Sequence, residues 1–264
     1  MSSATSRAAV ITGASSGIGA EFARRFARRG EDVVLVARRA ERLADLAGEL
    51  RERYGVAASP VPLDLAAPGP GEALRAALAE RGIAVSALVN CAGFGRAGRF
   101  ADASPEDIAG QVAVNVAALV DLTRTFYPGL RAAEGGVLIN VASVMGFGPV
   151  PGMAVYAAAK AFVISFTEAL WAESRGTGLR VLCLAPGATR TEFFGVAGAP
   201  FPGGAASHPP RLVVSAAFRG LRSGRRPTVV PGRLYPLAAV LMRMAPRRAL
   251  LAAGRQVQRY AARG

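Results

Sequence analysis

Short apolar, β-branched runs alternate with longer helical patterns from the N-terminus onward, and this alternation restricts the possible folds more than any other feature of the chain. Strand patterns fall at 8–12, 32–36, 57–63, 87–90, 136–141, 180–184 and 228–230. Helical patterns lie between them at 17–29, 39–54, 71–81, 105–131, 153–175 and 210–222. Strands joined through helices pair in parallel, and seven of them predict an α/β fold: a doubly wound, seven-stranded parallel sheet with helices on both faces. Ligands of such a sheet are expected at the carboxyl ends of its strands. At 264 residues, one domain over 1–232 is expected, followed by a basic helical extension over 233–264. The stretch 195–210 holds Pro200, Pro202, Gly203, Gly204, Pro209 and Pro210, so it predicts no regular element and a mobile flap near 190–210. Beyond the last strand, 234–263 reads as two short helices broken at Pro246.

The first strand runs directly into Thr12-Gly13-Ala14-Ser15-Ser16-Gly17-Ile18-Gly19 and then a helix. Glycines there let the backbone turn tightly and approach a pyrophosphate, whose charge is favoured at the helix N-terminus, while Ser15 and Ser16 add hydroxyls. At the end of the second strand, where a carboxylate would take the ribose hydroxyls of NAD(H), the chain has Ala37 followed by Arg38 and Arg39. Two cations at a helix start are disfavoured unless an anion joins them, and a 2'-phosphate is such an anion. The expected cofactor is therefore NADP(H).

Lys160 is the only lysine in the chain, against 31 arginines. It follows Tyr156 by four residues, which on a helix places the two side chains on one face, one turn apart. A positive charge about 5 Å from a phenol, at an effective dielectric of about 20, favours the phenolate by roughly 3 kcal/mol, on the order of two pKa units. The pair is thus expected to form an acid/base couple with a lowered tyrosine pKa.

Taken together and in order, these motifs resemble the short-chain dehydrogenase/reductase family over about residues 8–231, in an NADP(H)-preferring bacterial branch. Thr12 to Gly19 is similar to that family's T-G-x-x-x-G-x-G cofactor turn. Asp64-Leu65 matches its adenine-holding pair, and Asn90-Cys91-Ala92-Gly93 its N-N-A-G element with cysteine as the second residue. Asn115, Ser143 at 13 residues before Tyr156, and Pro186-Gly187-Ala188-Thr189 with Thr191 complete the set. The resemblance implies a Rossmann-type fold and hydride exchange between NADP(H) and a carbonyl or secondary alcohol. Asn115, Ser143, Tyr156 and Lys160 would be its catalytic set. Cofactor contacts would come from Gly13, Ser15, Ser16, Gly17, Ile18, Gly19, Arg38, Arg39, Asp64, Leu65, Asn90, Ala92, Gly93, Tyr156, Lys160, Pro186, Gly187, Thr189 and Thr191. Phe94, Arg96, Ser143, Val144, Phe147, Val150, Met153, Phe193 and Phe194 make the expected substrate pocket, mostly apolar and aromatic, suited to a hydrophobic substrate. A 3-oxoacyl thioester on an acidic carrier protein is the alternative substrate, and a non-catalytic NADP(H) sensor or scaffold is the alternative of another class. The resemblance also implies a homodimer or homotetramer.

Charge divides the chain unevenly. Residues 1–192 carry 20 basic and 18 acidic groups, whereas 193–264 carry 12 arginines and no acid. A surface of this kind suits anionic lipid head groups or an acidic protein partner; no nucleic acid partner is expected. No apolar run reaches the roughly 18 residues a membrane span needs and no signal-peptide pattern is read, so a cytoplasmic location is expected. Cys91 and Cys183 lie at predicted strand ends without the spacing of a disulfide framework, and the single histidine, His208, has no companion ligands, so no metal site is expected.

Overall fold

The last five residues of the first strand, β1 (Ser6–Thr12), are all buried. A strand that is apolar on both sides needs cover on both faces, and a parallel sheet with crossover helices supplies it. The computed structural model describes residues 6–200 and 207–252. In it β1 is joined by β2 (Asp32–Ala37), β3 (Ala58–Pro62), β4 (Ile83–Asn90), β5 (Val137–Val141), β6 (Arg180–Leu184) and β7 (Thr228–Val229). They form one sheet in the order β3-β2-β1-β4-β5-β6-β7, parallel throughout. The chain winds outward from β1 to β3, then returns to place β4 on the other side of β1. The crevice between the carboxyl ends of β1 and β4 is therefore the topological switch point, where ligands of such sheets sit.

Alternate residues of β1 feed two separate cores, as a period of two requires. Ala9 and Ile11 pack among Phe22, Phe26, Leu43, Leu50, Val213 and Phe218 of α1 (Gly17–Ala27), α2 (Ala40–Tyr54) and α8 (Pro210–Ser223). Ala8 and Val10 face Leu74, Leu78, Leu122, Phe126 and Leu130 of α3 (Pro70–Ala79) and α5 (Ala118–Ala132). A third cluster, with Val163, Ile164, Phe147 and Ala239, joins α6 (Ala154–Glu173) to α9 (Leu234–Met244) beside β5 and β6. Strand and helix bounds match the sequence expectation closely except at β4, which begins four residues earlier because Ile83, Ala84 and Val85 pair with the start of β1.

Four departures bear on the site. The helix expected at 105–131 is α4 (Pro105–Val112), a π turn at Ala113–Ala117, then α5. Asn115 sits in that turn and its side-chain amide bonds the Gln111 carbonyl four residues back at 2.9 Å, competing with the helical ladder and widening it. Part of the expected flap is ordered: Phe193–Ala197 forms the short helix α7, and Thr189 bridges His208; residues 201–206 lie outside the described part. Asn90, expected among the cofactor contacts, is buried inside the sheet. Its amide donates to Thr123 Oγ1 and Asn140 Oδ1 at 3.0 and 2.9 Å, and Asn140 in turn reaches Thr167, so the residue ties β4 to β5 and the flanking helices. Finally, α6 has the length and mean hydropathy of a membrane span although Lys160 and Glu168 interrupt its apolar sequence, and it packs on β5 and β6 and buries Tyr156, Lys160, Val163 and Thr167. The C-terminal break is as expected: α9 ends at Met244 and residues 247–252 resume as helix after Pro246, the remainder lying outside the described part.

Candidate active site

A cavity of about 480 Å³ opens at the switch point, lined by the turns that follow β1, β2, β3, β4, β5 and β6. Its floor at one end is the glycine turn. Gly13 and Gly17 adopt φ of +68° and +55°, which side-chain-bearing residues avoid, and their neighbours leave no room for one. A Cβ at Gly13 would lie 2.9 Å from Ala92 Cα, one at Gly17 2.8 Å from Thr191 Cγ2, and one at Gly19 would overlap the Gly13 carbonyl. Thr12 locks the ends of β1 and β4 together, accepting from the Cys91 and Ala92 amides at 2.9 and 3.0 Å and donating to the Val89 carbonyl. The N-terminus of α1, free of acidic residues in its first turn, thus faces the cavity through Gly17, Ile18 and Gly19. These are the features a dinucleotide pyrophosphate requires.

Arg38 and Arg39 flank the mouth but differ in engagement. Arg39 donates to Ser15 Oγ and Ser16 Oγ at 2.9 and 3.0 Å and pairs with Glu192 at 2.8 Å, and Arg42 pairs with the same carboxylate at 2.5 Å. The two guanidinium groups hold the Glu192 carboxyl below the usual carboxylate range. Arg38 is exposed and has no ion pair among the described residues. Asp64 and Leu65 lie on the far side of the same mouth.

At the opposite end, Ser143 follows β5 and caps the 3-10 turn at Val144–Phe147, Tyr156 lies in the first turn of α6, and Lys160 comes one turn later. Ser143 Oγ accepts from the Met145 amide at 3.2 Å and stands beside the Tyr156 phenol, which it favours in its ionised form. Lys160 donates to the Val141 carbonyl at 2.9 Å, and its Nζ stands 5.6 Å from the Tyr156 ring centre. Asn115 donates to the Phe94 and Gln111 carbonyls, while its buried Oδ1 has no partner. A Cβ at Gly93 would lie 2.5 Å from that oxygen and 3.2 Å from Lys160 Nζ, so an orphan acceptor and an ammonium face one small space.

The expected lowering of the tyrosine pKa is overturned within the chain's own field. Burial raises the Tyr156 phenol above its ordinary value, Ser143 offsets only part of this, and Cys91 adds to the rise. Burial also pulls Lys160 down to about 8, and the ammonium is committed to Val141 rather than to the phenol oxygen. Desolvation, which composition and spacing do not show, sets the direction of the shift.

Of the expected pocket residues, Phe94, Ser143, Val144, Phe193 and Phe194 line the cavity. Phe193 packs against Tyr156 with ring centres 5.1 Å apart, carried there by α7. Arg96, Phe147, Val150 and Met153 do not line it. Arg96 turns outward to Asp107 and the Val196 carbonyl, Phe147 is buried beneath α9, and Met153 is buried at the start of α6 with its Cε against Gly95. In their place stand Val114, Met145, Val196 and Tyr235. Tyr235 comes from α9. Its ring covers Gly187, and its hydroxyl accepts from the Ala188 amide at 3.0 Å, fixing the turn after β6. No local pattern links residue 235 to residue 187, so sequence reading had no signal for it.

Among known proteins, the family model for short chain dehydrogenases matches residues 7–199. Sulfoacetaldehyde reductase 2 of Chromohalobacter salexigens is 40% identical over 186 residues, spanning 70% of this chain and 73% of that one. A structure from work on 7β-hydroxysteroid dehydrogenase stereoselectivity superposes with a TM-score of 0.85 at 29% identity, covering 94% and 96% of the two chains. A short-chain dehydrogenase from Sphingobium yanoikuyae in complex with NADPH gives 0.79 at 35% identity, covering 97% and 95%. Other solved relatives are complexes with NADP or with NAD. Matched in sequence, fold and motif order, the chain belongs to the short-chain dehydrogenase/reductase family, oxidoreductases of alcohol and carbonyl groups.

Proposed function

We propose that this enzyme reduces a hydrophobic ketone or aldehyde with NADPH, and oxidises the matching alcohol in reverse, with Tyr156 as the general acid and base. The observation that carries the reading is the convergence of Ser143, Tyr156, Lys160 and the buried Asn115 oxygen at one end of an apolar, aromatic cavity, opposite a glycine cradle and an exposed Arg38 without an ion pair among the described residues at the other. Gly13 to Gly19 and the N-terminus of α1 would hold the cofactor's pyrophosphate, Asp64 and Leu65 its adenine, and Arg38 its 2'-phosphate, with no carboxylate after β2 to favour NAD(H). When bound, the reduced nicotinamide supplies the hydride that the carbonyl carbon accepts.

Tyr156 transfers its phenolic proton to the carbonyl oxygen, and its raised pKa keeps that proton in place at neutral pH. Ser143 donates to the same oxygen as negative charge develops there. Lys160, with a pKa of about 8, is poised to pass a proton inward from the space beside Gly93, where Asn115 Oδ1 can hold a water. Phe94, Val144, Phe193 and Phe194 make the apolar wall that excludes solvent and selects a hydrophobic substrate.

The test is NADPH oxidation against a panel of ketones, aldehydes, steroid-like ketones and 3-oxoacyl thioesters. Turnover of hydrophobic carbonyls, lost in Tyr156→Phe with NADPH binding retained, is expected. Binding of NADPH without turnover of any carbonyl would support the sensor reading instead. Arg38→Asp is expected to move the preference toward NADH, and unchanged cofactor kinetics would remove Arg38 from the phosphate site.

A further inference from the structure

Helix α9 is apolar around most of its circumference, but only one side faces the protein. Tyr235, Ala239 and Met242 pack against the turn after β6 and the Val144–Phe147 turn. Leu234, Leu237, Val240, Leu241 and Met244 point outward, from 51% exposed at Val240 to 80% at Met244. At 3.6 residues per turn these five fall within an arc of about 120°, a continuous aliphatic stripe with no polar side chain inside it. Arg233, Arg247 and Arg248 border the stripe, exposed and without an ion pair among the described residues. No acid follows Glu192 anywhere in the sequence.

We propose that this face docks the enzyme onto an anionic lipid surface, with the α9 stripe in the acyl boundary and the bordering arginines on the head groups. Eleven residues rise only about 16 Å, roughly half a bilayer core, so α9 lies in the interface rather than crossing it. Charge separates this occupant from a second copy of the chain. A two-fold contact would bring Arg233, Arg247 and Arg248 of both copies together, none of them with an ion pair among the described residues, whereas an anionic surface neutralises them. The position of the helix gives the docking a use, which rests on the proposed hydrophobic substrate. Tyr235 lines the cavity from the inner face of α9 while the stripe forms its outer face, so docking through the stripe brings that wall of the cavity to the lipid in which a hydrophobic carbonyl dissolves.

Sedimentation of the full chain with vesicles tests this without reference to turnover. Partition onto vesicles of phosphatidylcholine with phosphatidylglycerol is expected, with little onto phosphatidylcholine alone, weakening about fivefold for each of Arg233→Ala, Arg247→Ala and Arg248→Ala. Leu237→Asp and Leu241→Asp are each expected to weaken it about tenfold or more with an unchanged thermal midpoint, since neither side chain is buried. No binding to either vesicle overturns the proposal. Retention of binding in both leucine variants also overturns it, because adsorption would then need arginines alone. Conversion of an oligomer to monomers by the leucine variants, without vesicle binding by the native chain, assigns the stripe to an interface between copies and overturns it as well.

Discussion

At the scale of single residues, the proposed chemistry turns on two buried groups whose protons burial moves in opposite directions. The Tyr156 phenol is raised, so it remains a proton donor well past neutrality. Carbonyl reduction is expected to stay level up to about pH 8, where Lys160 begins to lose its charge, whereas alcohol oxidation, which needs the phenolate, should climb by about tenfold per pH unit over the same range. Paired pH–rate profiles check this, and Tyr156→Phe should lower both rates by about 10²- to 10⁴-fold and erase the climb. Lys160 gives a stability counterpart. Its folded value is about 8 against an ordinary 10.5, so at neutral pH the folded state holds a charge it has paid to desolvate. Between those values the unfolded chain keeps a proton that the folded chain has released, so stability from this group rises with pH through the window, by at most about 3 kcal/mol. Denaturant unfolding of the native chain and of Lys160→Met should show a difference that shifts in favour of the native chain from about pH 7.5 to about pH 10. A difference that stays flat would mean that Lys160 is not depressed. The spacing of Tyr156 and Lys160 was legible in the sequence because it is one helical turn; the direction of the tyrosine shift was not, because it depends on β5, β6 and α7 closing over the pair.

Elements place these residues through irregularities as much as through regular structure. A straight helix over 105–131 would have been sufficient to cover the sheet. The π turn at Ala113–Ala117 instead leaves the Asn115 oxygen buried, without a partner, and aimed at the space beside Gly93. Gly93→Ala is expected to fill that space: its methyl would press on Asn115 Oδ1 at 2.5 Å and approach Lys160 Nζ at 3.2 Å. If the space serves proton delivery, kcat should fall by about tenfold or more while the NADPH dissociation constant changes little, and equal losses in both would assign Gly93 to cofactor packing. Sequence patterns revealed that a helix covers this region and that an asparagine lies within it. They did not reveal the extra residue in the turn, because the side-chain bond from Asn115 to Gln111 that favours it leaves no period behind. α7 was missed for a related reason: five residues between glycine- and proline-rich stretches make too short a window for a helical pattern, and the helix is held by Arg96 and Ala97 bonding to Val196 and Ala197 across a long sequence gap.

For the whole molecule, the decisive contacts join segments far apart in the chain around one mouth. Glu192 receives Arg39 and Arg42, at and just inside the start of α2, across about 150 positions, linking the segment after β6 to the Arg38 end of the cavity. All three side chains are close to half exposed, so Glu192→Gln is expected to change stability by less than about 1 kcal/mol. It should nevertheless tighten NADPH binding a few-fold at low salt, by releasing two arginines and removing a negative charge from the mouth. Fluorescence titration checks this, and weaker binding would show that Glu192 holds Arg39 in its binding pose. The sequence by itself determined the class of fold, the order of the strands and helices, and the positions of the glycine turn and of Ser143, Tyr156 and Lys160 along it, because each of these is written in local periods, glycine positions and fixed short spacings. Only the tertiary structure decided that the Asn90 side-chain amide ties β4 to β5, that Arg96, Phe147, Val150 and Met153 leave the cavity to Val114, Met145, Val196 and Tyr235, and that burial raises the tyrosine the lysine was expected to lower. Those outcomes depend on which distant segments exclude water from a given atom, and desolvation is a property of the packed assembly rather than of any stretch of chain.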